Sequence, residues 1–320
     1  MSDPAQYGGQ AVIEGVMMRS PRYFAVACRR PDQQIVVHVE PVTKSVLGRL
    51  QWLNRIFLRG SLALIDAMVL GARALSFSAN QQLETGPSEG TVDSPSRPIS
   101  DIAIGSTLAA GFIIGAGLFL VLPSAITDGV GILIRTVEGH PIKLGSLTLN
   151  LIDGLVRIVI FLGYILAISA MKNVHRVFMY HGAEHKAINT FEAGRVLTLE
   201  NAMQSSRIHP RCGTSFIVVV LILSILVFSL FGRPVWYLRL PLHLLLIPVV
   251  AGIAYETIKL AGRFRNATPT RILLAPGLWS QYLTTREPTA DQVEVALAAL
   301  KAVIARENEI VSPQPTVAAS

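Results

Sequence analysis

Four long apolar runs leave few folds open to this chain: they lie near Ile102–Ile126, Leu151–Met171, Ser215–Phe231 and Leu240–Leu260. Crossing the hydrocarbon core of a bilayer takes a helix of about 20 apolar residues, because only a helix satisfies all its own backbone groups there. The third run is the shortest, but it is filled with Leu, Ile and Val throughout. A soluble chain of 320 residues would suggest about two domains. Here 51% of residues are hydrophobic, only 15% are charged, and the mean hydropathy is +0.48, so the expected architecture is a membrane protein with soluble parts. The formal charge of +7 does not point to a nucleic-acid partner. Its Lys and Arg are scattered beside the apolar runs rather than gathered on aromatic-bearing elements. The bilayer is the partner that this composition implies.

The same cations set the orientation. Residues 1–100 carry ten Lys or Arg, and residues 172–213 carry Lys172, Arg176, Lys186, Arg195, Arg207 and Arg211. The alternate loops hold only Arg135 with Lys143, and Arg233 with Arg239. Positive residues stay in the cytoplasm, so a multi-pass protein of the cytoplasmic (bacterial inner) membrane is expected, with both termini and the 172–213 segment cytoplasmic. The first apolar run begins too deep for a cleavable leader. Cys28 and Cys212 are far apart and form no disulfide framework, so reduced thiols are the default.

The fold class that follows is mainly α: a polytopic helical membrane protein with about four spanning helices, a small N-terminal β unit and a cytoplasmic amphipathic C-terminal helix. Residues 1–44 read as the β unit, with apolar runs at 10–19, 23–29 and 35–40 broken by Ser20-Pro21 and Arg30-Pro31-Asp32. Glu14 stands out there between apolar residues, although an edge-strand glutamate accounts for it too. Residues 45–80 read as an interfacial or re-entrant helical segment, since Asp66 and Arg73 interrupt its apolar content. Residues 81–100 are a linker rich in Gly, Pro, Ser and Glu, and 101–265 form the four-span domain. The tail, 266–320, opens on a loop-like Pro276-Gly277-Leu278-Trp279 and carries an amphipathic helix over 290–308, with Val293, Ala296 or Leu297, Leu300 and Ile304 on one side.

The chemistry concentrates in Met179–Glu192. This stretch has no proline, few β-branched residues and Gly194 where a C-cap glycine falls, so a helix is expected. His181 and His185, at i and i+4, then share one face, with Glu184 beside them and Asn189 and Glu192 continuing the stripe. His-x-x-Glu-His is also the reversed zinc-hydrolase signature, two ligands and a general base on one turn. The bland alternative is a solvated or mutually hydrogen-bonded polar face. Against it stands a second cluster, His209-Pro210-Arg211-Cys212-Gly213, which adds an imidazole and a thiol suited to zinc. A divalent metal, zinc favoured, on His181 and His185 needs a third ligand, and Glu192, His209, Cys212 and Glu256 all compete for it. With one open position Glu184 is the catalytic base. A closed set of His181, His185, His209 and Cys212 is the structural alternative. Glu256 lies near the end of the fourth run, where pairing with Lys259 explains it equally well.

Four stretches carry a resemblance: Gly8–Arg19, Tyr180–Lys186, His209–Phe216 and Pro276–Trp279. They resemble a bacterial membrane-protein family of unknown function, the domain-of-unknown-function family 1385, often labelled predicted metal-dependent enzyme. The likeness runs from about Tyr7 to Ile304. It implies a membrane protein with a metal-dependent activity and names no reaction. Two functions from different classes remain open. One is a metal-dependent hydrolase working on a membrane-associated substrate at the cytoplasmic face. The other is a non-enzymatic assembly or transport factor with a structural metal or a polar histidine cluster. Transport is disfavoured because Asp153, Arg157 and Glu256 are placed near span ends.

Overall fold

The computed structural model describes residues 7–42, 58–83, 101–138, 145–263 and 268–311. The first segment is an antiparallel meander, β1 (Gly8–Val12), β2 (Gly15–Arg19), β3 (Tyr23–Arg29) and β4 (Ile35–Pro41), paired in chain order. The run expected over 10–19 is two strands, not one, because a tight turn at Ile13-Glu14 pairs Val12 with Gly15. Glu14 takes that turn at φ 51. A left-handed backbone normally goes to Gly or Asn, so the sequence carries no turn signal. Gly15 is required beside it, since a Cβ there would stand 2.2 Å from the Ala27 carbonyl oxygen.

Side chains alternate faces along a strand. Val16, Met18, Ala25 and Ala27 enter one core, while Met17, Phe24 and Val26 enter another. A sheet covered on both faces reads as continuous apolar runs, which is how these strands look in sequence.

The rest is helical: α1 (Leu58–Leu83), α2 (Asp101–Ala116), α3 (Leu122–Glu138), α4 (Ser146–Ser169), α5 (Lys172–Glu192), α6 (Leu199–Met203), α7 (Gly213–Leu230), α8 (Trp236–Arg263), α9 (Thr268–Thr284) and α10 (Ala290–Val311). A π turn over Gly117–Val121 joins α2 to α3. Among the described residues five helices are long and apolar enough to cross a membrane: Gly60–Leu83, Gly105–Ile134, Ser146–Ser169, Gly213–Leu230 and Trp236–Leu260. Four coincide with the expected runs, and α1 adds a fifth.

Helix α1 bridges the sheet and the apolar helix α8. Its Leu70 and Ala74 pack on the sheet, and Asp66, fully buried, pairs with Arg19 of β2 at 2.7 Å. At its other end a Cβ on Gly60 would lie 2.7 Å from the Tyr255 Cβ of α8, so glycine permits the close crossing. Helix α1 runs through Leu83; the remainder of the linker read over 81–100 lies outside the described residues, as do 43–57 and 312–320.

The loop expected at Pro276-Gly277 is instead inside α9. Gly277 serves close helix packing rather than a turn: a Cβ on it would stand 2.8 Å from the Ser215 Cβ of α7. Helix α10 is the amphipathic helix expected in the tail. Its Val293, Ala296, Leu297 and Leu300 join Tyr180, Ala183 and Ala187 of α5 and the sheet in one core. Glu307 closes the far end, accepting hydrogen bonds from Ser20 Oγ and Arg22 Nε, both at 2.7 Å. The sheet, α5 and α10 thus form a single body beside the long apolar helices.

Candidate metal centre

Helix α5 ends where the sequence says it should. Gly194 adopts φ 66, its N–H donates to the Phe191 carbonyl at 2.9 Å and the Arg195 N–H to that of Thr190 at 3.1 Å, a glycine C-cap. On the helix the His181 and His185 rings lie 4.4 Å apart between centroids. Each is held from behind by a main-chain carbonyl: His181 Nδ1 by Thr284 at 2.9 Å and His185 Nδ1 by Arg207 at 2.7 Å. A carbonyl only accepts, so both Nδ1 atoms carry the proton and both Nε2 atoms offer a lone pair. This is the arrangement by which proteins orient histidine ligands.

Those lone pairs meet Cys212. Its sulfur is 3.1 Å from His181 Nε2, and the candidate ligand atoms of His181, His185 and Cys212 all lie within 4.8 Å of one another. Tetrahedral zinc holds nitrogen at about 2.0 Å and sulfur at about 2.3 Å, which puts them about 3.5 Å apart, so the donor set fits. Burial pushes the His185 pKa down, keeping its imidazole neutral as a ligand requires.

The loop that brings Cys212 to α5 is fixed by α5 itself. Lys186 Nζ donates to the carbonyls of Met203 (2.7 Å) and Ser205 (3.0 Å), and Asn189 Nδ2 to those of Ser206 (2.7 Å) and Ile208 (3.1 Å). From α9, the buried Gln281 accepts from the His209 N–H at 2.8 Å and donates to the His209 carbonyl at 2.7 Å and to Ser215 Oγ at 2.8 Å. Gly182, between the histidines, lets the strap after α9 press on the helix. A Cβ there would be 2.2 Å from the Arg286 carbonyl oxygen, and the Arg286 N–H donates to the Phe178 carbonyl at 2.9 Å.

Glu184 is buried, 5% exposed. Its carboxyl lies on Gly9 of β1, where a Cβ would come within 2.9 Å of it, and the Gly9 N–H hydrogen-bonds to it. Burial pushes its pKa up to about 7, against the pull of His181, His209 and the Gly9 bond. Among the described residues its Oε2 has no hydrogen-bond partner. A carboxylate of the β1–β2 hairpin grips α5 in turn: Glu14 accepts a two-pronged ion pair from Arg176 and a hydrogen bond from the Tyr180 hydroxyl at 3.2 Å. Its oddity in sequence, a glutamate among apolar residues before glycine, was the only available signal of that role.

The other candidate ligands are placed as follows. His209 is adjacent, its ring 5.8 Å from that of His185, but its Nε2 faces Glu192 at 3.3 Å and its Nδ1 accepts the Arg211 N–H at 3.4 Å. Glu192 accepts from His209 and from Arg211. Glu256 stands half-buried on α8 and is not a member of the three-residue group.

Two comparisons bear on this geometry. Residues 56–306 match the family model described as "Protein of unknown function (DUF1385)". Over 310 residues, 95% of this chain and 94% of the relative, the chain is 35% identical to "Uncharacterized protein YqhQ" of Bacillus subtilis (strain 168). No solved structure matches.

Proposed function

The chain belongs to the DUF1385 family of proteins of unknown function, and from that premise we propose that it is a metal-dependent hydrolase of the cytoplasmic membrane. The observation that carries the reading is the pair of histidines whose Nδ1–H groups are both spent on main-chain carbonyls, so that their free nitrogens converge with Cys212. His181, His185 and Cys212 would hold the ion, with zinc favoured by the N₂S donor set. Three protein ligands leave one tetrahedral position for substrate or solvent. His209, with its ring nitrogens engaged by Glu192 and the Arg211 N–H, is left outside the proposed ligand set.

When bound, zinc supplies Lewis-acid polarisation of a carbonyl or phosphoryl oxygen. The chain's own contribution to the chemistry is Glu184. Its buried position and unpartnered Oε2 suit a group that takes a proton from the attacking water and returns it to the leaving group. The Gly9 backbone holds that carboxyl in place, and the Glu14–Arg176 pair anchors the hairpin that carries Gly9.

In this proposal the Lys and Arg asymmetry of the loops argues for a cytoplasmic position of this body and of both termini, where a membrane-associated substrate would meet it. We retain the division into a β unit (1–44), the helical segment 45–80, the linker 81–100, the span domain 101–265 and the tail 266–320. The test is Glu184→Gln, scored by complementation of a strain lacking the protein, with zinc content and expression measured alongside. The amide keeps the shape and cannot accept a proton, so metal should stay and function should fall, as a lost general base costs about a hundred- to ten-thousand-fold in rate. Full complementation at normal expression would return the site to the structural, non-enzymatic reading.

A further inference from the structure

Between α4, α7 and α9 runs a groove of about 350 Å³, lined by Ile158 and Phe161 of α4, Leu221 and Ile222 of α7, and Trp279 and Leu283 of α9, among others. A volume of this size is within the range of small-ligand sites. Its walls are apolar apart from Ser280, whose hydroxyl is already spent on the Gly277 carbonyl at 2.7 Å. An ordered polar ligand has nothing to hold on to there. Two of the three walls, α4 and α7, are long and apolar enough to cross a membrane, and in the membrane placement proposed above hydrocarbon surrounds them.

The groove and the metal centre share their supports. Leu283 lines the groove, and the next residue, Thr284, holds His181 through its carbonyl. Ser280 lines it, and the next residue, Gln281, holds His209. On α7 the lining begins at Val218, six residues past Cys212, a rise of about 9 Å along the helix. The groove therefore begins about one and two-thirds helical turns along α7 from Cys212.

We propose that this groove seats an acyl chain of a membrane lipid, with the lipid's polar end directed at the His181–His185–Cys212 group. This deepens the hydrolase reading and rests on it for the chemistry, while the binding of the chain stands on the groove alone. The substrate class it names is an acyl lipid, drawn from the bilayer without leaving it.

The full chain, reconstituted in phosphatidylethanolamine–phosphatidylglycerol vesicles containing a trace of diazirine-acyl phosphatidylglycerol, would be irradiated and its adducts mapped by mass spectrometry. Adducts should concentrate on the groove residues by about tenfold over the exposed Ile113 and Ile132 of α2 and α3, a factor worth about 1.4 kcal/mol. Ile222→Trp, and independently Leu162→Trp from the opposite wall, should remove that excess while zinc content stays at the wild-type level. Competition with unlabelled fatty acid and with unlabelled phospholipid separates a free acid from a whole lipid. Adducts spread evenly over all apolar helices, or an excess that survives both tryptophans, would overturn the proposal. An excess that responds to both variants in a protein that retains no zinc would leave the acyl site standing and remove the metal-dependent reading.

Discussion

Half-way along α4, Arg157 donates to Asp153 at 2.7 Å and to Ser224 of α7 at 3.3 Å, and all three side chains are buried. At the start of the same α7, Cys212 meets His185, both buried, and the half-buried His181. Both clusters bury polar atoms, and they satisfy them in opposite ways. In the first, opposite charges close on each other, and at the far end of the bundle Asp128 does the same with Arg233 (2.8 Å) and Arg239 (2.9 Å). In the second, the candidate ligand atoms of two imidazoles and a thiol converge within 4.8 Å of one another. A self-neutralised pair is complete as built. The thiol proton that links Cys212 to His181 Nε2 at 3.1 Å is one that a metal ion can replace, whereas the Arg157–Asp153 pair has no such exchangeable partner, and the proposed ligand site differs from the structural pair in that respect.

This contrast can be broken from either side. The largest effect is expected at the closed pair. Asp153→Asn leaves Arg157 buried without its counter-ion and should cost about 3–5 kcal/mol in unfolding free energy, read by thermal denaturation in detergent, with zinc content unchanged. Replacing both partners by apolar residues should recover most of that loss. A double variant as unstable as the single one would mean that the pair does more than neutralise itself. A smaller effect is expected where the open site meets the sheet. Gly9→Ala drives a methyl against Glu184 and the Met17 carbonyl, 2.6 Å away, and overpacking of this kind costs about 1–3 kcal/mol. Stability should fall modestly and activity more, because the displaced group is Glu184. Unchanged activity in a folded Gly9→Ala protein would detach the hairpin from the site.

The two clusters also differ in how far the sequence discloses them. Apolar runs are summed over about 20 residues, so the four spans near 102–260 stand out whatever their neighbours do. Periodicity likewise reveals α10, and Gly194 marks the end of α5. The i,i+4 histidines are local and equally plain. The sequence leaves the third ligand open among Glu192, His209, Cys212 and Glu256, because that choice depends on which ring nitrogens the Arg207 and Thr284 carbonyls occupy. Arg157 was misplaced toward a span end, since α4 begins at Ser146, ahead of its densest apolar run. Helix α9 was masked by Pro276-Gly277, a breaker signal in one dimension that is a close contact with Ser215 in three. The β1–β2 turn was masked because Glu14, stabilised by Arg176 from 162 positions away, occupies a conformation that local rules give to glycine.

The proposed hydrolase stands or falls on whether His181, His185 and Cys212 are an open ligand set or a polar face. The most direct measurement is the zinc content of the purified protein after removal by chelator and reloading, for the wild type and for His181→Ala, His185→Ala and Cys212→Ser. About one ion per wild-type chain is expected, lost in each variant, while Glu256→Gln, which alters a residue outside the group, keeps it. A wild type that reloads no metal, or a Cys212→Ser protein that holds it as tightly as before, would contradict the account.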